Sequence, residues 1–181
     1  SMITRRHFST LAGVSMTSYL APGMAQTSRP KTALVLGAGS ARGFAHIGVI
    51  KALEAAGIKP DLIVGASAGS VIGVFYAAGY TGQQMEDIAM KVRDADVIDQ
   101  SNNSKRGLIA GAALQKLINT FVKDKPIESL KIPFIAIATN LKNGEAIQLK
   151  TGDTGQAVRA SSSMPGIFLP TSINGTELVD G

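Results

Sequence analysis

Asp61-Leu62-Ile63-Val64-Gly65-Ala66-Ser67-Ala68-Gly69-Ser70-Val71-Ile72 starts as a short aliphatic run behind Pro60 and ends in small residues at helical spacing. It reads as a strand over 61–64 and a helix over 68–78, with one serine at the junction. A strand that turns into a helix within about one residue forces the central residue into strained backbone angles. Neighbours two positions away must then lack side chains, which Gly65 and Gly69 do, and Ala66 and Ala68 keep the mouth of the turn narrow. A serine so placed projects at a helix N-terminus, where free N–H groups and the helix dipole favour developing negative charge. Gly-x-Ser-x-Gly alone is a weak signal whose bland reading is a flexible turn. Its strand-to-helix setting makes Ser67 a candidate nucleophile.

Upstream, residues 32–36 form a β-branched and aliphatic run that ends in glycine, as a buried parallel strand does. Residues 43–56 carry apolar side chains at helical spacing, with Gly57 as a stop. The order is βαβα, which predicts an α/β sheet with right-handed crossovers. Between the first strand and helix lies Gly37-Ala38-Gly39-Ser40-Ala41-Arg42-Gly43. One reading is a dinucleotide-binding turn, but its final glycine is one position late and the second strand ends in Gly65-Ala66-Ser67 where an acidic ribose ligand belongs. The other is an oxyanion hole, whose N–H donors are each worth ~3 kcal/mol toward a tetrahedral intermediate. Arg42 fits either a bracing role in that loop or a grip on a substrate phosphate.

Downstream, Thr81 can cap a helix running toward Arg93, a polar loop covers 94–106, and a further helix spans about 108–122 before Pro126. Residues 133–139 are an apolar strand, 146–150 a partner for it, 153–160 a short helix, and 177–179 a strand that runs into Asp180-Gly181. No internal repeat or low-complexity tract interrupts this pattern. A chain that stops one residue after a strand leaves that strand end without cover, so the sequence reads as truncated at its C-terminus.

With 181 residues, 45% of them hydrophobic, the chain can bury one core, and one domain over 32–181 is expected. Residues 1–31 are set apart. Arg5-Arg6-His7-Phe8, a mildly apolar stretch and the small-residue end Pro22-Gly23-Met24-Ala25 have the order of an export signal, of twin-arginine type, cleaved after about Ala25. The protein is therefore expected in the periplasm or secreted, soluble or peripheral to a membrane. The net charge of +5 falls to +3 without Arg5 and Arg6, and no basic stripe with interleaved aromatics marks a nucleic-acid reader. That charge remains compatible with peripheral contact at an anionic lipid surface. With no cysteine, disulfides, thiolate nucleophiles and Cys-ligated zinc are excluded.

A serine nucleophile requires a base. Of the two histidines, His7 lies in the signal, and His46, in the first turn of the helix after the glycine loop, suits a packed or helix-bracing role. Asp180, leaving a strand end ahead of a glycine, is the best-placed carboxylate. An Asp-Gly turn without chemistry is the plainer reading, and composition leaves the choice open.

These residues together resemble the patatin-like phospholipase family over nearly the whole of 32–181. The loop from Gly37 to Gly43, the helix start His46-Ile47-Gly48-Val49, the Gly65-to-Gly69 elbow and Asp180-Gly181 match in order, and Ala160-Ser161-Ser162-Ser163-Met164-Pro165-Gly166-Ile167-Phe168-Leu169-Pro170 resembles the family's loop ahead of the aspartate. The resemblance implies a three-layer α/β sandwich with a mainly parallel central sheet. It implies a Ser67–Asp180 dyad in place of a triad, an oxyanion hole from the Gly37–Ser40 loop, and no metal or organic cofactor. The implied substrate is a phospholipid, lysophospholipid or other acyl ester. Ala38 departs from the commoner triple-glycine form, at little expected loss because backbone N–H groups do the work. Two other classes stand beside this reading: a nucleotide-binding module using the glycine loop, and a non-catalytic interaction protein on the same scaffold.

Overall fold

The computed structural model describes residues 31–39, 43–94 and 104–181, with side chains for all of these but 92–94 and 104–109. The export-signal reading of 1–31 falls almost wholly outside them. Lys31–Gly181 makes one compact unit.

Its elements are β1 (Ala33–Leu36), α1 (Phe44–Ala55), β2 (Leu62–Ala66), α2 (Ala68–Ala77), α3 (Gly82–Asp94), α4 (Ser104–Phe121), β3 (Phe134–Asn140), β4 (Ala146–Leu149), α5 (Thr154–Ser161), β5 (Thr171–Ile173) and β6 (Thr176–Asp180). The fold is α/β, as the interleaved pattern predicts. Its six-stranded sheet is mixed, parallel across β1, β2 and β3 and antiparallel beyond them. The change of direction has a local cause, because tight turns return a strand beside its predecessor and only long crossovers make it parallel. Asn140 and Gly144 close such a turn between β3 and β4, through Gly144 N–H to Asn140 O at 2.8 Å. Asn174 and Gly175, at φ 50° and 77°, make a two-residue hairpin between β5 and β6.

The register around β3 places the site. One edge of β3 is taken by β2 as far as Ala66 opposite Ile137, and the other by β4 over Ala136 to Thr139. β6 pairs with Ala138, Thr139 and Asn140, so it must use the edge that β2 has just left. The two strands meet head on, the end of β2 at Ala66 and the end of β6 at Asp180.

Helix α2 covers β1, β2 and β3, and α5 covers β3, β5 and β6, with α4 packed on α5. Gly73 brings α2 close to the sheet, since a Cβ there would sit 3.1 Å from Ile63 and Phe134 side-chain atoms. Ile50, Ile63, Val74, Ile118 and Val158 are fully buried in the resulting core, each worth about 2 kcal/mol of apolar burial. Thr81 and Gln84 form a reciprocal capping box at α3, with N–H to side-chain distances of 3.1 and 2.9 Å. Helix α4 begins at Ser104, four residues before the expected start, so Lys105 and Arg106 are helical rather than part of a loop. Good helix formers there outweigh the polarity that suggested a loop. Residues 95–103 lie outside the described part. Among the described residues, no helix is long and apolar enough to cross a membrane.

Candidate active site

Ser67 sits at φ 54°, ψ −126°, between the last residue of β2 and the first of α2. That conformation is strained for a residue with a side chain and persists only where the surroundings over-determine it. Here they do so by exclusion. A Cβ on Gly65 would lie 2.6 Å from the Gly69 carbonyl oxygen and from the Ser70 Cα, and one on Gly69 would run into the Leu36 and Gly37 carbonyls. Two glycines are therefore required for α2 to start where it does. Ser70, fully buried, donates its hydroxyl to the Ser67 carbonyl at 2.7 Å. A lone serine in an otherwise apolar helix start was the available signal for it, because a buried hydroxyl needs a partner.

The Ser67 side chain, on a residue only 6% exposed, donates from Oγ to Asp180 Oδ2 at 2.8 Å. The two residues are 113 positions apart and are joined by the head-on meeting of β2 and β6. Asp180 thus reaches the site on an antiparallel strand rather than from the carboxyl end of a parallel one. Burial raises the Asp180 pKa above the ordinary aspartate range, and the Ser67 hydrogen bond pulls it partly back. Gly181 has a steric reason of its own, since a Cβ there would strike the Ile137 carbonyl.

The end of α5 and the turn after it hold both partners. Ser67 N–H is shared between the carbonyl and the hydroxyl of Ser161, at 3.1 Å each. The Ser161 carbonyl also accepts from Gly181 N–H at 3.3 Å, and the Ser163 carbonyl accepts from Asp180 N–H at 3.0 Å. Sequence reading placed this serine run in a loop ahead of the aspartate without assigning it a contact.

The glycine loop straddles the elbow. Gly37 lies beside Gly69, and Gly43 lies against Ala68, whose Cβ would be 2.8 Å from a Cβ on Gly43. Gly37 is therefore brought to the start of α2, with Ala38 and Gly39 following it in the chain, whereas Ser40 and Arg42 lie outside the described residues. His46 is a brace, as expected, and what it braces is this loop: Nε2 donates to the Gly37 carbonyl at 2.9 Å. With a carbonyl as partner, the proton is on Nε2. That bond ties the Gly37 carbonyl, which faces Gly69, to α1. The arrangement as a whole offers a nucleophile, a carboxylate in contact with it, and backbone N–H groups at a helix start.

The family model for patatin-like phospholipases matches residues 34–181. The chain belongs to the patatin-like phospholipase family. An uncharacterized NTE family protein of Mycobacterium tuberculosis is 35% identical over 161 residues, 86% of this chain and 43% of that protein. Human patatin-like phospholipase domain-containing protein 6 is 37% identical over 144 residues, 76% of this chain and 10% of that protein. Lysophospholipase nte1 of Aspergillus niger is 36% identical over 169 residues, again 10% of its length. The chain thus spans less than half of these relatives. In fold it is similar to Pseudomonas aeruginosa ExoU, solved with SpcU, at a TM-score of 0.59 and 16% identity over 75% of this chain and 39% of the other. Legionella pneumophila VipD is similar at 0.55 and 16% over 84% and 46%. The patatin-like match runs through the glycine loop, the elbow and the Asp-Gly pair, so each described part of the site lies inside it.

Proposed function

We propose that this chain is the catalytic core of a lipid acyl hydrolase with Ser67 as nucleophile and Asp180 as its acid/base partner. The observation that carries the reading is the 2.8 Å hydrogen bond from Ser67 Oγ to Asp180 Oδ2 at a strained elbow. In the first half-reaction Asp180 accepts the serine proton as Oγ attacks the ester carbonyl, and the tetrahedral oxyanion is held by N–H groups of the α2 start and the Gly37–Gly39 loop. Protonated Asp180 then gives its proton to the departing alkoxide. Water attacks the acyl-serine with Asp180 as base again, releasing the fatty acid and restoring both groups. A raised pKa suits this exchange, because a carboxyl closer to the working pH both takes and returns a proton.

Lipid ester as the substrate class is supported by the family and by a relative named a lysophospholipase. Contact with a lipid surface is favoured by Ile167 and Leu169, 57% and 38% exposed, on the loop that follows the serine run. Arg5-Arg6 and the segment up to Ala25 support export before the enzyme acts.

The test is intact-mass labelling with a fluorophosphonate on wild type, Ser67→Ala and Asp180→Asn. One adduct on wild type, none on Ser67→Ala and slow labelling of Asp180→Asn is the expected pattern. A folded wild-type protein that takes no adduct, or an adduct that persists in Ser67→Ala, overturns the assignment.

A further inference from the structure

We infer that Ser161 is a positioning residue for the Ser67–Asp180 pair, one whose hydroxyl and carbonyl together set how far the nucleophile stands from its base. The inference rests on the hydrolase reading above. Ser161 is the last residue of α5, fully buried, and it touches three separate pieces of the site. Its hydroxyl donates to the Ile137 carbonyl on β3 and accepts from Ser67 N–H at 3.1 Å. Its carbonyl accepts from Ser67 N–H at 3.1 Å and from Gly181 N–H at 3.3 Å. A carbonyl oxygen has two lone pairs, and here one takes the N–H of Ser67 and the other the N–H of Gly181, the residue that follows Asp180.

The geometry explains why such a staple is needed. Where β2 and β6 meet, pairing with β3 holds Ala66 opposite Ile137 and Asp180 opposite Ala138, but Ser67 lies one residue past the end of β2 and its own backbone has no ladder partner. Ser67 is also held in a strained conformation, which persists only where the contacts around it over-determine it, this N–H anchor among them. Ser161 ties that N–H to β3, the strand both partners share. Thr154, at the other end of the same helix, is equally buried but donates to the Lys125 carbonyl at 2.7 Å, far along the chain from either partner.

The pair Ser161→Ala and Thr154→Ala separates positioning from packing. Each variant removes one buried hydroxyl from α5, and both melting temperatures are expected to fall by a similar few degrees. With a small soluble ester, Ser161→Ala is expected to lower kcat about 10- to 100-fold with KM within about twofold, the loss typical of a reacting group misplaced by a fraction of an ångström. Fluorophosphonate labelling should slow in step, and the acid limb of the pH–rate profile should move upward as the Ser67 hydrogen bond to Asp180 loosens. Thr154→Ala should keep kcat within about twofold. If Ser161→Ala keeps wild-type kcat and pH profile, or if both variants lose activity in proportion to their loss of stability, the positioning role is overturned. A wild-type protein that neither labels nor turns over ester overturns the hydrolase reading, and this one with it.

Discussion

The two partners of the Ser67–Asp180 hydrogen bond are positioned by opposite means. Ser67 is placed by exclusion: glycines at 65 and 69 leave space only for backbone, and the chain has no relaxed way through. Asp180 is placed by attachment, through antiparallel pairing with β3, the hairpin at Asn174-Gly175 and the N–H bond to the Ser163 carbonyl. Exclusion acts at two glycines, each facing backbone that cannot yield: Gly65 the start of α2, and Gly69 the end of β1. Attachment draws on three separate contacts, to β3, to the β5–β6 hairpin and to the Ser163 carbonyl. Damage to the first should therefore be sharp and local, and damage to the second graded.

The largest effect expected is chemical. Ser67→Ala should reduce ester turnover by about 10^4-fold or more, and Asp180→Asn by nearly as much, both read as kcat on a soluble ester with the fold checked by circular dichroism. Comparable losses would confirm that two differently placed groups act as one unit. A mild loss in Asp180→Asn would break the comparison by showing that the serine has another base.

Next comes Gly69→Ala, which pushes a methyl group into the Leu36 and Gly37 carbonyls. We expect a loss of about 3 kcal/mol or more of stability by urea unfolding, as for other backbone clashes in a packed core. Near-wild-type stability would mean that exclusion does not hold the elbow.

A subtler consequence concerns pH. Because burial raises the Asp180 pKa in the folded state, its ionisation opposes folding: its stabilising share is complete below the unfolded aspartate pKa and is lost as pH rises through the folded value. On the proposed mechanism turnover needs the carboxylate, so the acid limb of activity should lie above the ordinary aspartate range, and activity should climb where this share of stability declines. Asp180→Asn should melt a few degrees higher than wild type at neutral pH, a gap that closes in acid. A gap that widens in acid would reverse the sign.

The smallest effect is expected at Gly175. Gly175→Ala, at φ 77°, should cost about 1 kcal/mol and slow fluorophosphonate labelling severalfold through a shift of β6. The elbow itself should be untouched, which backbone amide shifts around Ser67 would report.

The same contrast governs what could be read from the sequence. The elbow was legible because its steric demands fall on neighbours whose side chains are visible in the string, and the helix cap at Thr81 was legible for the same reason. The α/β order also followed from local periodicity. Strand direction did not, since it depends on which edge of β3 is free when β6 arrives. Strand β5 was missed although Asn174-Gly175 between short β-formers is a hairpin signal in its own right. The start of α4 was misplaced because polar residues in a helix and in a loop look alike without their packing partners. Asp180 as the partner of Ser67 followed from resemblance and not from local pattern, because the contact joins residues 113 positions apart. Ser161 and His46 act through contacts with backbone carbonyls and N–H groups, which no residue pattern announces.

The 113-residue separation between Ser67 and Asp180 has a consequence for the chain as it is made. At about 5–20 residues per second of synthesis, the serine turn is exposed many seconds before its base exists. Contacts this far apart in sequence are also among the last to form, because their loop entropy must be met first. A half-finished chain thus carries the serine with no carboxylate beside it, and on the proposed mechanism the activity would arrive in one step, when β6 docks.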